Sequence, residues 1–249
     1  MVQVQQSTNL RSLLTKGLWV VLLAVLLLGV PMVSGRVASI FDYQVIDPDG
    51  VYAWRTVRHV VFGAVFLLLI GVIRQYTSLE FGLCWGDTER GKKYVGLFAL
   101  GFTIYTVIAY SITFLTDSFE PIAYPLTATN ITGHMGFQLL LPGPVEELVF
   151  RAFAITLLSA LLAARVFNGK LSVANIIAAV IFGVAHAEFF FTPFAVAYDS
   201  GQVAYAIGLG LIYGDCYEKT GSVIYPIIMH TLTNVLMVGI QIAATFYLG

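Results

Sequence analysis

The sequence predicts an all-α fold: a polytopic bundle of about seven or eight transmembrane helices enclosing an intramembrane cavity. Three observations carry this. Of 249 residues, 58% are hydrophobic and 11% charged, against roughly 45–50% and about 25% in ordinary soluble domains. So few charges cannot cover a soluble surface, and a disordered chain needs the opposite composition. Mean hydropathy is +0.85. The apolar residues also come in long unbroken runs, not in the alternating ~10-residue segments of a membrane barrel.

A helix crosses a bilayer with about 20 apolar residues. The candidate spans are residues 17–33, 60–73, 94–116, 136–166, 171–191, 203–213 and 223–248. An eighth arises if one of them is split. Arg11 and Lys16 precede the first, as in a signal peptide, but the polar lead-in is long. Residues 31–35 also lack a small-x-small cleavage site. The longest polar stretch, residues 34–59, is too short for a soluble domain, so residues 1–249 read as a single membrane domain.

Loop charges orient it. With the N-terminus inside, the inner loops hold Arg11, Lys16, Arg74, Arg90, Lys92, Lys93, Arg165, Lys170 and Lys219, and the outer loops Arg36, Arg55 and Arg58. That bias favours a cytoplasmic N-terminus. The formal net charge of -1 offers no basic stripe for nucleic acid. Cys84 and Cys216 lie far apart without metal-ligand spacing and read as free thiols.

Charges inside a bilayer are costly and normally face a cavity or a partner. Residues 142–151 place Glu146, Glu147 and Arg151 in an otherwise apolar run, after Pro142 and Pro144. Glu147 and Arg151 are four apart, share a helix face and can pair. Glu146 is turned about 100° away, which leaves it as the carboxylate free for chemistry. The prolines start a helix here, and carboxylates in its first turn would gain from the helix dipole. A helix that begins at membrane depth is tolerated only where it lines a cavity. The alternative is that the three charges only neutralise one another and lock helices together.

His186 follows Phe182 by four residues, with Gly183 and Ala185 allowing close helix approach. His230 and Asn234 are also four apart, on one helix face. Together these groups offer a general base, a second proton-handling group and donors for an oxyanion. Glu146, His186 and His230 are also ligand types that suit zinc. His59 and His134 read as interfacial.

These residues form a pattern. Glu146-Glu147-Leu148-Val149-Phe150-Arg151, Phe182 to His186 and His230 to Asn234 resemble, in order and spacing, the three motifs of the CPBP family of intramembrane CAAX-processing and bacteriocin-processing endopeptidases. Glu80-Phe81-Gly82-Leu83 is similar to a weaker feature of that family. The resemblance implies a protease core over residues 76–249, with the spans of residues 1–75 unassigned. It implies hydrolysis of a membrane-associated protein or peptide, including prenylated CAAX-type C-termini. Glu146 would activate water with help from His186. His230 and Asn234 would form the oxyanion hole, and Glu147, Arg151 and Phe182 would support the site. The family is usually labelled metalloprotease. No HExxH is present, no cofactor is required by the residues, and zinc on Glu146, His186 and His230 stays open.

Seven simple spans put His186 near one end of its helix and His230 about 12 Å from the opposite side. Groups of one site must meet at one depth. Residues 189–198 would therefore form an extra dip or crossing, or the last helix would start outside the membrane.

Rival chemistries fit less well. An aspartyl site needs Gly-x-Gly-Asp, and Ile212 stands where the first glycine belongs. A serine site needs a glycine two places before Ser200, where Tyr198 stands. A small ion- or proton-coupled transporter would use buried carboxylates and histidines too, but the chain shows no inverted repeat. A non-catalytic membrane scaffold or immunity protein is the remaining alternative.

Overall fold

The computed structural model describes residues 2–248. The chain is helical nearly throughout. The long helices are α1 (Val2–Ala38), α2 (Ala53–Tyr76), α3 (Thr88–Leu115), α8 (Ser200–Thr220) and α9 (Ile224–Leu248). Four described helices are long and apolar enough to cross a membrane: α1 from Ser12, α2, α3 and α9. Their outward faces carry exposed Leu, Val, Ile and Phe side chains, as lipid contact requires.

The middle of the chain departs from the simple span count. The run over residues 136–166 is split at Leu141, into α4 (Ala128–Leu140) and a second helix that starts at Pro142. Proline lacks the N–H that a continuing helix needs and is well suited to a first helical position. The restarted helix runs without a break through α5 (Pro142–Glu147), a π-helical segment (Leu148–Ile155) and α6 (Thr156–Leu161). All eight residues of the π segment are buried, which makes this the central element of the bundle. Glu146 and Glu147 therefore sit in the second turn, not the first. The helix-dipole stabilisation expected for them is largely lost, because it decays within the first turn.

Residues 171–191 are likewise not one span. After a two-residue hairpin of β1 (Arg165–Val166) and β2 (Leu171–Ser172), α7 covers only Val173–Val184. Its 12 residues reach about 18 Å, well short of a ~30 Å hydrocarbon core. His186 stands in the turn just past its end. Residues 189–198 form no crossing helix. They belong to an antiparallel hairpin of β3 (Glu188–Phe191) and β4 (Phe194–Ala197). The short α7 and the hairpin remove the depth conflict between His186 and His230.

Two glycines set the approach of helices to α5. A Cβ on Gly63 of α2 would lie 3.1 Å from Val145. One on Gly143 would strike Thr231 of α9 and crowd the Ile227 carbonyl. Gly183 similarly faces Val203 and Ile207 of α8. The core runs through Phe62, Phe66, Val149, Phe150, Phe153, Ala178 and Phe182. A second cluster joins Phe98, Phe102, Tyr213, Tyr225 and Met229. The start of α2 is held by Asp47, whose carboxylate accepts from the backbone N–H groups of Val51, Tyr52 and Ala53 at 2.8, 2.8 and 2.7 Å. Burial alone would raise the Asp47 pKa; these bonds and nearby Arg55 outweigh it and hold the carboxyl below its usual range. Cys84 and Cys216 are free thiols.

Candidate active site

Glu146 and Glu147 are neighbours with different fates. Glu147 is fully buried, with Oε2 2.9 Å from Arg151 Nε and Oε1 2.8 Å from His230 Nδ1. Arg151 is fully buried too. Its guanidinium lies 4.6 Å from the centre of the Phe182 ring and 5.5 Å from that of Tyr213. Among the described residues its Nη1 and Nη2 have no hydrogen-bond partner, so ring faces supply part of the stabilisation that water would give. Tyr213 also stacks on His230, 5.4 Å between centroids, and shares a 2.7 Å hydrogen bond with Thr233. A buried pair of this kind needs every such contact, because desolvating two ions is expensive.

Glu146 turns the other way. Its side chain keeps 20% exposure, against none for Glu147. It opens on a cavity of about 300 Å³ whose walls include Arg58, His59, Phe62, Phe150, Phe182 and His186. Oε1 lies 3.4 Å from His59 Nε2 and Oε2 3.9 Å from His230 Nε2.

The three imidazoles share one tautomer, assigned from their partners. His59 Nδ1–H donates to the Arg55 carbonyl at 2.8 Å, and His186 Nδ1–H to the Phe182 carbonyl at 2.8 Å. His230 Nδ1–H donates to the Glu147 carboxylate. Each ring is thereby clamped with Nε2 left over. A carboxylate opening on a cavity beside such rings is placed to act as a general base toward water. Phe182 sits edge-on to His186 at 4.9 Å and to His230 at 6.0 Å.

The fold thus puts Glu146, His186 and Phe182 on one cavity wall; His230 lies 3.9 Å from Glu146 but off that wall, and Glu147 and Arg151 are packed behind. Asn234 stands one turn beyond His230 on α9, half-buried and off the cavity wall. His59 is the residue the sequence reading misplaced. It is buried against Glu146 rather than interfacial. The signal was present, since His59 opens an apolar span and is an ionisable group like those that marked the Glu146 segment. His134 is buried as well, bonded to Tyr124 at 2.6 Å and Gln138 at 3.1 Å.

The ligand types suit zinc, but the geometry does not. Among the described residues no three His, Cys, Asp or Glu side chains gather at metal-holding spacing, and Glu146, His186 and His230 are no exception.

Residues 128–236 match the Rce1-like family, type II CAAX prenyl endopeptidases. The match runs from the start of α4 into α9 and contains all three motifs, and it falls in the family those motifs resemble. No curated protein and no solved structure matches the chain. The Rce1-like match points to a protease, and with four long apolar helices the chain is an integral membrane protein. Pro31, Arg58, His59 and Phe62 reach the cavity from α1 and α2, outside the Rce1-like segment.

Proposed function

We propose that this protein is an intramembrane endopeptidase that cleaves a membrane-associated peptide or protein, of prenylated CAAX type, by glutamate-activated water. The observation that carries the reading is the division of labour between adjacent carboxylates. Glu147 is locked to Arg151 and His230, while Glu146 alone opens on the cavity beside clamped imidazoles.

In this reading Glu146, with His186 on the same wall, takes a proton from water as the oxygen attacks the carbonyl carbon. The tetrahedral oxyanion accepts a hydrogen bond from the Asn234 amide, which turns inward when the peptide is bound, and one from His230 Nε2–H when that ring carries both protons, Nδ1–H on Glu147 and Nε2–H on the oxyanion. The C–N bond breaks, the amine leaves with the proton held by Glu146, and a carboxylate remains. Donors placed for the oxyanion typically lower such a barrier by roughly 3–4 kcal/mol each. No step passes through a metal. The N-terminus faces the cytoplasm, on the distribution of loop Lys and Arg.

The test is cleavage by the purified protein in detergent, with farnesylated CAAX peptides and transmembrane peptides as substrates. Glu146→Ala serves as control and a chelator as a second arm. We expect cleavage of the farnesylated set, complete loss in Glu146→Ala and retention in chelator. Loss in chelator overturns the metal-free step. No cleavage by folded wild type across both sets overturns the peptidase reading in favour of a scaffold or transporter.

A further inference from the structure

Helices α3 and α8 leave two joined openings that share no wall residue with the cavity at Glu146. One is an apolar slot of about 590 Å³, walled by Phe98, Phe102 and Tyr105 of α3, Tyr205 and Ile212 of α8 and Met229 of α9. The other is a recess of about 400 Å³ that continues from the slot through Tyr94 and Leu97. Its walls carry Arg90, Lys93 and Lys219.

One stripe of α3 serves both openings. Arg90, Lys93, Tyr94, Leu97, Gly101 and Tyr105 recur at spacings of three and four and so share a helix face. Helix α8 runs antiparallel beside it. At one end Arg90 Nη1–H donates to the Lys219 carbonyl at 3.0 Å. At the other, Tyr105 and Tyr205 stack with ring centroids 6.1 Å apart. From Tyr94 to Tyr105, a step of 11 residues, α3 rises about 16 Å. That is close to half of a ~30 Å hydrocarbon core, the depth of one leaflet. Gly101 and Gly208 keep the slot open, since a Cβ on either would meet no atom within 4 Å.

The recess is cationic where the slot is apolar. Lys219 Nζ lies 2.9 Å from Asp215 and Arg90 Nε 3.5 Å from Asp87, but neither carboxylate lines the recess. Lys93 is exposed. Among the described residues it takes part in no ion pair shorter than 4 Å. Three cations against two carboxylates leave the rim positive.

We infer that these openings hold one anionic glycerophospholipid, its phosphate in the recess against Arg90, Lys93 and Lys219 and one acyl chain in the slot. Charge complementarity selects the headgroup, because guanidinium and ammonium groups both bind phosphate oxygens. The one-leaflet depth of the slot selects a chain anchored at that membrane surface. The chain lies against Met229, the residue before His230, so the lipid braces the helix that carries His230. The site stands whether or not the protein is a peptidase.

Native mass spectrometry of the full chain, stripped of lipid in detergent, tests this. Dioleoyl phosphatidylglycerol and dioleoyl phosphatidylcholine are titrated separately, and glycerol 3-phosphate supplies the headgroup without chains. The first phosphatidylglycerol should bind at least about tenfold more tightly than phosphatidylcholine, since each nearby cation contributes roughly fivefold. Glycerol 3-phosphate should not bind in that range. Lys93→Gln should reduce the preference about fivefold, and Lys93→Arg should restore it. Gly101→Leu and Gly208→Leu, which fill the slot, should each weaken both lipids at least about tenfold, and a thermal melt shows that each variant is folded. Equal first-site affinity for the two lipids overturns the inference. So does a preference that survives Lys93→Gln together with Arg90→Gln, or lipid binding unchanged in both folded slot variants. Glycerol 3-phosphate binding as tightly as the lipid makes the recess a phosphate site alone and overturns the slot. Displacement of the first phosphatidylglycerol by a farnesylated peptide assigns the slot to substrate and also overturns it.

Discussion

His59 Nε2 lies 3.4 Å from Glu146 Oε1, joining residues 87 positions apart and on different helices. This contact fixes one oxygen of the carboxylate assigned to activate water. His59→Ala should lower kcat by roughly 10- to 100-fold, the scale that small misplacement of a reacting group produces. His59→Gln, whose amide can still donate to Glu146, should recover part of it. Steady-state cleavage with a thermal melt of each variant checks this. An activity loss equal in His59→Ala and His59→Gln would refute the hydrogen-bonding role.

The two glutamates should respond oppositely to the same substitution. Glu147→Gln leaves the Arg151 cation buried without its counter-charge, and breaking a buried pair costs about 3–5 kcal/mol. A clear fall in melting temperature is expected. Glu146→Gln should abolish turnover and leave the melting temperature near that of wild type. Differential scanning fluorimetry beside the cleavage assay distinguishes them.

Gly143 is where α5 meets α9. Gly143→Ala places a methyl group against Thr231 and the Ile227 carbonyl, and overpacking of this kind costs about 1–3 kcal/mol. It should also move His230 away from Glu147. Activity should fall more than stability does, and Thr231→Ser, which retains the hydroxyl, should not rescue it. Thr231→Ala, which removes the clashing oxygen, should rescue part of the loss.

Asp47 gives the fold an acid limit. Its folded-state pKa is depressed, so its contribution is fully present above the unfolded value of about 3.9 and is lost as pH falls through the folded value. Asp47→Ala should destabilise by about 0.5–2 kcal/mol near neutral pH, as loss of a helix cap does. Melting temperatures of wild type and Asp47→Ala should converge only below about pH 4. A gap that persists unchanged into strong acid would show that the carboxylate is not responsible.

Much of the site was legible in the sequence because charge is conspicuous in an apolar chain. Glu146, Glu147 and Arg151 declared a cavity and an ion pair, and the four-residue spacing gave the pairing of Glu147 with Arg151 correctly. What spacing within one helix cannot show is contact between helices. His230 closing on Glu147 and His59 closing on Glu146 depend on how α9 and α2 pack against α5. Span counting failed where hydropathy is blind to backbone geometry. Leu141 interrupts an apolar run without changing its composition, and the phenylalanines after Glu188 are as apolar in a hairpin as in a crossing helix. The π segment was equally hidden, since α and π windings draw on the same residues.

Phe182 gives the centre a boundary. One face of its ring covers the Arg151 guanidinium, while its edge meets His186 on the cavity wall. The strongest cation of the interior is thus screened from whatever enters. A substrate carboxylate, a product carboxylate or an anion from solution meets the ring and not the charge. Without that partition Arg151 would attract any acid that reached the cavity beside Glu146. The aromatic residue of the second motif thus walls a buried charge off from the cavity.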